Sequence, residues 1–176
     1  TSLINSKASL ESRGWDNFTP LHWAAYKGHI GAVQVLVDAN ACLDVQNRGG
    51  WSPLLWATYN NHIGAMQVLV DAKARLEIQD SGDMTPMHHA AYNGHCGSLQ
   101  VLINANASLD VQDCSGNTPT HCAASYGHSG AVQVLVDAKA SVDIQNSAGR
   151  TPLHIAAANG CTCVIDVLVD ATANCS

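Results

Sequence analysis

The apolar residues of this chain fall into two alternating kinds of block. One kind is short and small: Ala24-Ala25, Ala57-Thr58, Ala90-Ala91, Ala123-Ala124 and Ala156-Ala157 stand at the same distance after a proline. The other is longer and reads GAVQVLVDA, GAMQVLVDA, GSLQVLINA, GAVQVLVDA and finally TCVIDVLVDA. Val33, Leu36 and Val37 are spaced i, i+3 and i+4, and Met66, Leu69 and Val70 repeat that register, which marks one face of a helix. Taken locally, Val33 to Val37 passes for a strand, because β-branched residues have weak helix propensity. The recurrence of the helical spacing decides for helix, with burial between units supplying what propensity does not. The pattern predicts first helices over 20–27, 53–60, 86–93, 119–126 and 152–159, and second helices over 30–38, 63–71, 96–104, 129–137 and 162–170.

The helix starts share one phrase: Thr19-Pro20-Leu21-His22, Ser52-Pro53-Leu54-Leu55, Thr85-Pro86-Met87-His88, Thr118-Pro119-Thr120-His121 and Thr151-Pro152-Leu153-His154, each 33 residues after the last. Thr or Ser caps the helix, and proline at its first position gives up an amide that would be unpaired anyway. Gly28, Asn61, Gly94, Gly127 and Gly160 then stop it. A period of 33 carrying T-P-L-H at a constant phase resembles the ankyrin repeat, from residue 1 to residue 176. The resemblance implies an all-α fold, an ankyrin-repeat solenoid of stacked helix-turn-helix units with β-turn or hairpin loops, forming a single domain. Residues 1–14 align with the tail of a preceding repeat, Leu3 to Leu10 matching Leu69 to Leu76. The turn column reads Asn17, Gly50, Asp83, Gly116 and Gly149, residues that visit left-handed backbone readily. Past the second helix, where ankyrin repeats normally have Gly, this chain has Lys7, Asn40, Lys73, Asn106, Lys139 and Thr172.

Composition narrows the function. Lys plus Arg number 8 against 14 for Asp plus Glu, a formal charge of -6, and the cations are scattered singly. No basic stripe exists to track a phosphate backbone, so nucleic acid is not the expected partner. No apolar run reaches the length of a membrane helix, and none resembles a signal peptide. The seven cysteines occupy unrelated phases of the repeat, which reads as free thiols in a reducing compartment, cytoplasmic or nuclear.

Residues with chemical potential mostly belong to repeat columns. His88, His89 and His95 or Cys96 have a composition that suits zinc. However, His22, His88, His121 and His154 share the T-P-L-H position, where the resemblance implies a hydrogen-bonding brace to the neighbouring turn. His29, His62, His95 and His128 recur at the junction of the two helices. Cys161-Thr162-Cys163 directs its thiols apart. The acidic column Glu11, Asp44, Glu77, Asp110 and Asp143 is expected to accept turn amides, with a cation-binding ladder as the alternative; ankyrin repeats commonly carry Asn there. No phosphate loop, nucleophile elbow or isolated carboxylate pair is present, so no catalytic set, no metal and no cofactor are expected.

The remaining positions map, by the resemblance, to a concave face of turn tips and first helices where partners of such folds bind. At the tips stand Trp15, Phe18, Arg48, Trp51 and Met84, and on the helices Trp23, Tyr26, Lys27, Trp56, Tyr59, His89, Tyr92 and Tyr126. The four tryptophans and the one phenylalanine all fall in the first two repeats. Rigid aromatics beside Lys or Arg have the composition of interface hot spots. The expected function is therefore a module binding another protein or peptide. A small apolar ligand would need a closed pocket instead of an open groove. The competing reading is a passive spacer in a longer array. Trp51 is expected to be partly buried near Tyr26 and Tyr59, with a folding cost within about 1 kcal/mol on truncation to Ala.

Overall fold

In the computed structural model, which describes residues 9–173, a 3-10 turn at Trp15–Asn17 precedes ten α-helices. The first helices of the repeats are α1 (Pro20–Lys27), α3 (Pro53–Tyr59), α5 (Pro86–Tyr92), α7 (Pro119–Ser125) and α9 (Pro152–Asn159). The second helices are α2 (Ile30–Asp38), α4 (Ile63–Asp71), α6 (Cys96–Asn104), α8 (Ser129–Asp137) and α10 (Thr162–Ala173). Each first helix packs on the next first helix and each second on the next second, giving two parallel layers. Leu3 to Ala8, including Lys7, and Cys175 lie outside the described residues.

The core runs between the layers, and each repeat fills it at the same positions. Ala24, Ala57, Ala90, Ala123 and Ala156 are all buried, so the backbones of neighbouring first helices approach closely. Met66, Leu69, Leu99, Leu102, Val132 and Leu135 seal the other layer from the second helices. Val33 is fully buried as expected, while Leu36 and Val37, on the first described repeat, are only partly covered.

Left-handed backbone is found where the columns place it. Asn17, Gly50, Asp83, Gly116 and Gly149 all have φ between 59° and 80°. At the end of α1, Gly28 (φ 68°) is required twice over, because an added Cβ would lie 2.5 Å from the ring of His62. That ring sits there because its Nε2 donates to the Tyr26 carbonyl of the preceding repeat at 3.0 Å. After the second helices, Asn40 and Asn106 have φ 62°, and Lys73 and Lys139 have φ 70° and 72°. Thr172 departs from this column: α10 continues through it to Ala173, so the turn of helix that ends the other repeats is not made there.

Histidine ties successive repeats together. In the first repeat, His22 Nδ1 accepts the Thr19 amide at 3.2 Å and faces the Thr19 hydroxyl at 2.8 Å. A ring nitrogen that accepts from an amide carries no proton, so the proton is on Nε2, which donates to the Trp51 carbonyl at 2.9 Å in the next repeat. His88 and His121 repeat the arrangement with the Asn117 and Arg150 carbonyls, at 3.0 and 2.9 Å. Leu55 takes this place in the second repeat, fully buried, and the Ser52 hydroxyl alone accepts from the helix there. Burial holds His22, His88 and His121 below the ordinary imidazole range, with their carbonyl hydrogen bonds opposing it in part.

Two outcomes follow from this backbone and these rings. Lys73→Gly and Lys139→Gly should each raise stability by about 1 kcal/mol by relieving left-handed strain, visible as higher urea midpoints. Folded-state pKa values below the unfolded 6.5 mean that unfolding takes up protons. Stability should therefore be complete above about pH 7 and fall as the pH drops below about 6.5, with a slope of up to about 1.4 kcal/mol per pH unit for each of the three rings. Urea titrations between pH 7.5 and 5 check the sign, and a flat profile would mean that the bridging rings are not held neutral.

Candidate protein-binding surface

The turn tips are built by a column absent from the sequence reasoning: Asn47, Asp80, Asp113 and Asn146. In each, Oδ1 accepts two amides, those two and four residues on. For Asp80 the donors are Gly82 and Met84 at 2.9 and 3.1 Å, and for Asn47 they are Gly49 and Trp51 at 3.0 and 2.9 Å. Successive tips then join through backbone bonds, such as Ser81 N–H to the Gly49 carbonyl at 3.0 Å. These residues recur five positions before the capping Thr or Ser, and that shared phase was the signal for them. They fix where the residue before each cap, including Trp51 and Met84, projects.

On this frame the aromatic side chains of the first repeats form one connected cluster. Trp51 lies 4.4 Å from Trp56 and 4.4 Å from His89 between ring centroids, with Tyr59 edge-on at 5.3 Å. Trp56 reaches Tyr26 at 5.2 Å and Phe18 at 5.4 Å, and Phe18 continues to Trp23 at 4.9 Å. Such edge and tilted pairs hold rings rigid and contribute about 1 kcal/mol each beyond area burial. Trp51 is partly buried, edge-on to Tyr59 and separated from Tyr26 by the Trp56 ring.

The expected surface residues divide by exposure. Trp15 is 82% exposed, Trp23 46%, Tyr59 40% and Tyr126 53%, and Lys27 and Arg48 are exposed too. Tyr26, Trp51, Trp56, Met84 and Tyr92 are half-buried. Phe18 and His89 are almost completely buried, and the rings above them take the outer face. Lys27 Nζ lies 4.8 Å over the Tyr26 ring. A second, smaller pair follows: Tyr92 and Tyr126 meet at 4.2 Å, with the Tyr126 hydroxyl donating to that of Tyr92 at 2.9 Å.

His89 departs from its column, which otherwise holds Trp23, Trp56, Cys122 and Ile155. Its Nε2 meets Asp80 Oδ2 at 2.8 Å beneath Trp51 and Tyr59. Burial acts to raise the Asp80 carboxyl, but the bonds from His89 and from the Gly82 and Met84 amides outweigh it and hold it below its ordinary value. The pair thus anchors the floor under Trp51.

The other columns serve the stack. Glu11, Asp44, Glu77 and Asp110 accept the amides of Cys42, Arg75, Ser108 and Ser141 in the following repeat, at 2.7 to 3.0 Å. The equivalent partner of Asp143 is residue 174, outside the described residues. His95 and His128 donate to the Tyr59 and Tyr92 carbonyls, as His62 does to Tyr26. Among the described residues, no group of three or more His, Cys, Asp or Glu is placed to hold a metal ion, and no helix is long and apolar enough to cross a membrane.

Paired helices stacked at a 33-residue period, with hydrogen-bonded turn tips along one edge, define a helical repeat scaffold. The chain matches the family model described as Ankyrin repeats (3 copies) over residues 1–80, 38–113 and 87–176, and it belongs to the ankyrin repeat family. A comparison with curated proteins finds no match. Ankyrin repeat modules are non-catalytic scaffolds that generally bind other proteins.

Cys122 lies in the His89 column, and burial pushes its thiol up to about 12. Cys42, Cys96, Cys114 and Cys163 are exposed. An aromatic disulfide reagent at pH 7.5 should label those four quickly and Cys122 only on unfolding, because the thiolate is the reactive form. Mass spectrometry of the labelled chain reads the difference.

Proposed function

We propose that this segment recruits another polypeptide through its concave face, with the ring cluster of the first two repeats as the anchoring site. The observation that carries the reading is the pairing of rigidity with exposure. Trp23 and Tyr59 leave 46% and 40% of their surface open while their neighbours hold them in place. Preorganised aromatics bind at low entropic cost, and hot spots are enriched in Trp and Tyr. Repeats four and five offer Asn117, Arg150, Ser125 and Ala158 at the matching positions, so the surface has a direction. A protein or peptide is the partner class. The charge of -6 disfavours nucleic acid, and the chain functions in a reducing compartment where its thiols stay free.

A spacer role is the competing reading, since the rings also cover one another. The ring contacts of Trp51 raise its folding cost on truncation above the 1 kcal/mol expected from the sequence, to about 2 kcal/mol. Tyr59, which is more open, is the cleaner probe. Affinity capture from lysate of the native organism should retain a specific partner with the wild-type chain and lose it with the Trp51→Ala, Tyr59→Ala double variant. Against that partner Tyr59→Ala should weaken binding by about 2 kcal/mol at a smaller folding cost than Trp51→Ala. Asn117→Ala, which loses the bond from Asn146 Nδ2, should lower the urea midpoint slightly and leave affinity nearly unchanged. An unchanged capture profile from a folded double variant leaves the spacer reading standing.

A further inference from the structure

The four side chains that build the turn tips differ in what their second polar atom does. Asn47 Nδ2 donates to Asp16 Oδ2 at 3.0 Å, and Asn146 Nδ2 donates to Asn117 Oδ1 at 2.8 Å. Asp80 Oδ2 is taken by His89 at 2.8 Å. Asp113 is the exception. Its Oδ1 accepts the Ser115 and Asn117 amides at 2.8 Å each, but its Oδ2 receives only a long 3.4 Å contact from the Asn117 amide group. The residue in the His89 column here is Cys122, a buried thiol and a much weaker donor to a carboxylate than an imidazole. The one ion pair among the described residues is His89–Asp80, so Asp113 has no cationic partner.

That carboxylate lines a concave hollow of about 200 Å³, walled by Met84, Cys122 and Ile155 with the rings of Tyr92 and Tyr126. Apolar walls, two aromatic rings and one under-bonded carboxylate together suit a long cationic side chain. Its methylene stem covers the apolar walls, its charge meets Oδ2, and the tyrosine rings add cation–π attraction. The chain's net charge of -6 favours the approach of a basic segment.

We propose that this hollow receives an arginine or lysine side chain of the polypeptide partner. The inference rests on the concave-face reading and adds a sequence rule to it. The hollow lies two repeats beyond the Trp51–Tyr59 cluster, roughly 20 Å at the usual helix spacing. An extended peptide covers that distance in about six residues. The partner segment carries a bulky apolar residue at one end and a basic residue about six positions away.

Linear peptides selected from a random display library on the immobilised full chain supply the probe, long enough to span both sites. The selected peptides should share that spacing, and their affinity should fall with added salt. Asp113→Asn should weaken a selected peptide about tenfold, as should replacing its basic residue by norleucine, and the two changes together should cost no more than either alone. Asp113→Asn keeps the turn, because Asn47 and Asn146 accept the same two amides, so its urea midpoint should match wild type. Peptides that bind wild type and Asp113→Asn equally, yet are lost on Tyr59→Ala, overturn this inference and leave the proposed function intact. Binding indifferent to both substitutions overturns the two together.

Discussion

No helix pair in this chain can bury its own apolar face, so each repeat is held by its neighbour. The first helices are seven or eight residues long, too short to persist alone in water. Their alanines contribute little apolar area individually and serve instead to bring backbones together. What stabilises a unit is the contact of Ala57, Leu69 or Leu102 with the units on either side, and everything else in the structure is arranged to keep those contacts in register. Unfolding a middle repeat in place would uncover the apolar faces of both its neighbours, whereas a local change at a turn tip leaves the stack intact.

Polar groups set the register. The His22, His88 and His121 rings reach forward to the next turn, while the His62, His95 and His128 rings reach back to the preceding first helix. The acidic column adds a third link, each carboxylate accepting an amide one repeat further on. Because these bonds join residues about a repeat apart in sequence, they penalise any slip between units more than they add to total stability. Leu55 shows that one forward link is dispensable when an apolar side chain fills its space. Its full burial replaces hydrogen bonding by packing, and both polar partners of a histidine are not left stranded at once.

The same frame separates positions bound into the stack from positions left free to vary. Positions bound into the stack repeat every 33 residues, and those released from it vary. The ring cluster occupies the released positions of the first two repeats, supported from below by Phe18 and by the His89–Asp80 pair. A rigid scaffold with variable tips can change partner without changing fold, since substitutions at the tips touch few core contacts.

Most of the architecture was legible in the sequence because the signal is repeated. The period, the capped helix starts, the left-handed columns and the bridging histidines each appear several times at one phase, and repetition removes the ambiguity that made Val33 to Val37 look like a strand. The helix ends followed to within a residue or so, except α10, where Thr172 permits continuation that a left-handed Asn or Lys column would stop. The tips were read less fully: Asn47, Asp80, Asp113 and Asn146 share a phase, yet only their paired amides reveal the role. What the sequence could not decide was exposure. Phe18 and Trp51 share a column and differ in burial, and His89 turned from a surface candidate into a buried partner of Asp80. These outcomes depend on which ring lies over which across repeats, a distance of about 33 residues along the chain and one side chain in space. One-dimensional periodicity specifies the stack, whereas packing between non-identical neighbours specifies its surface.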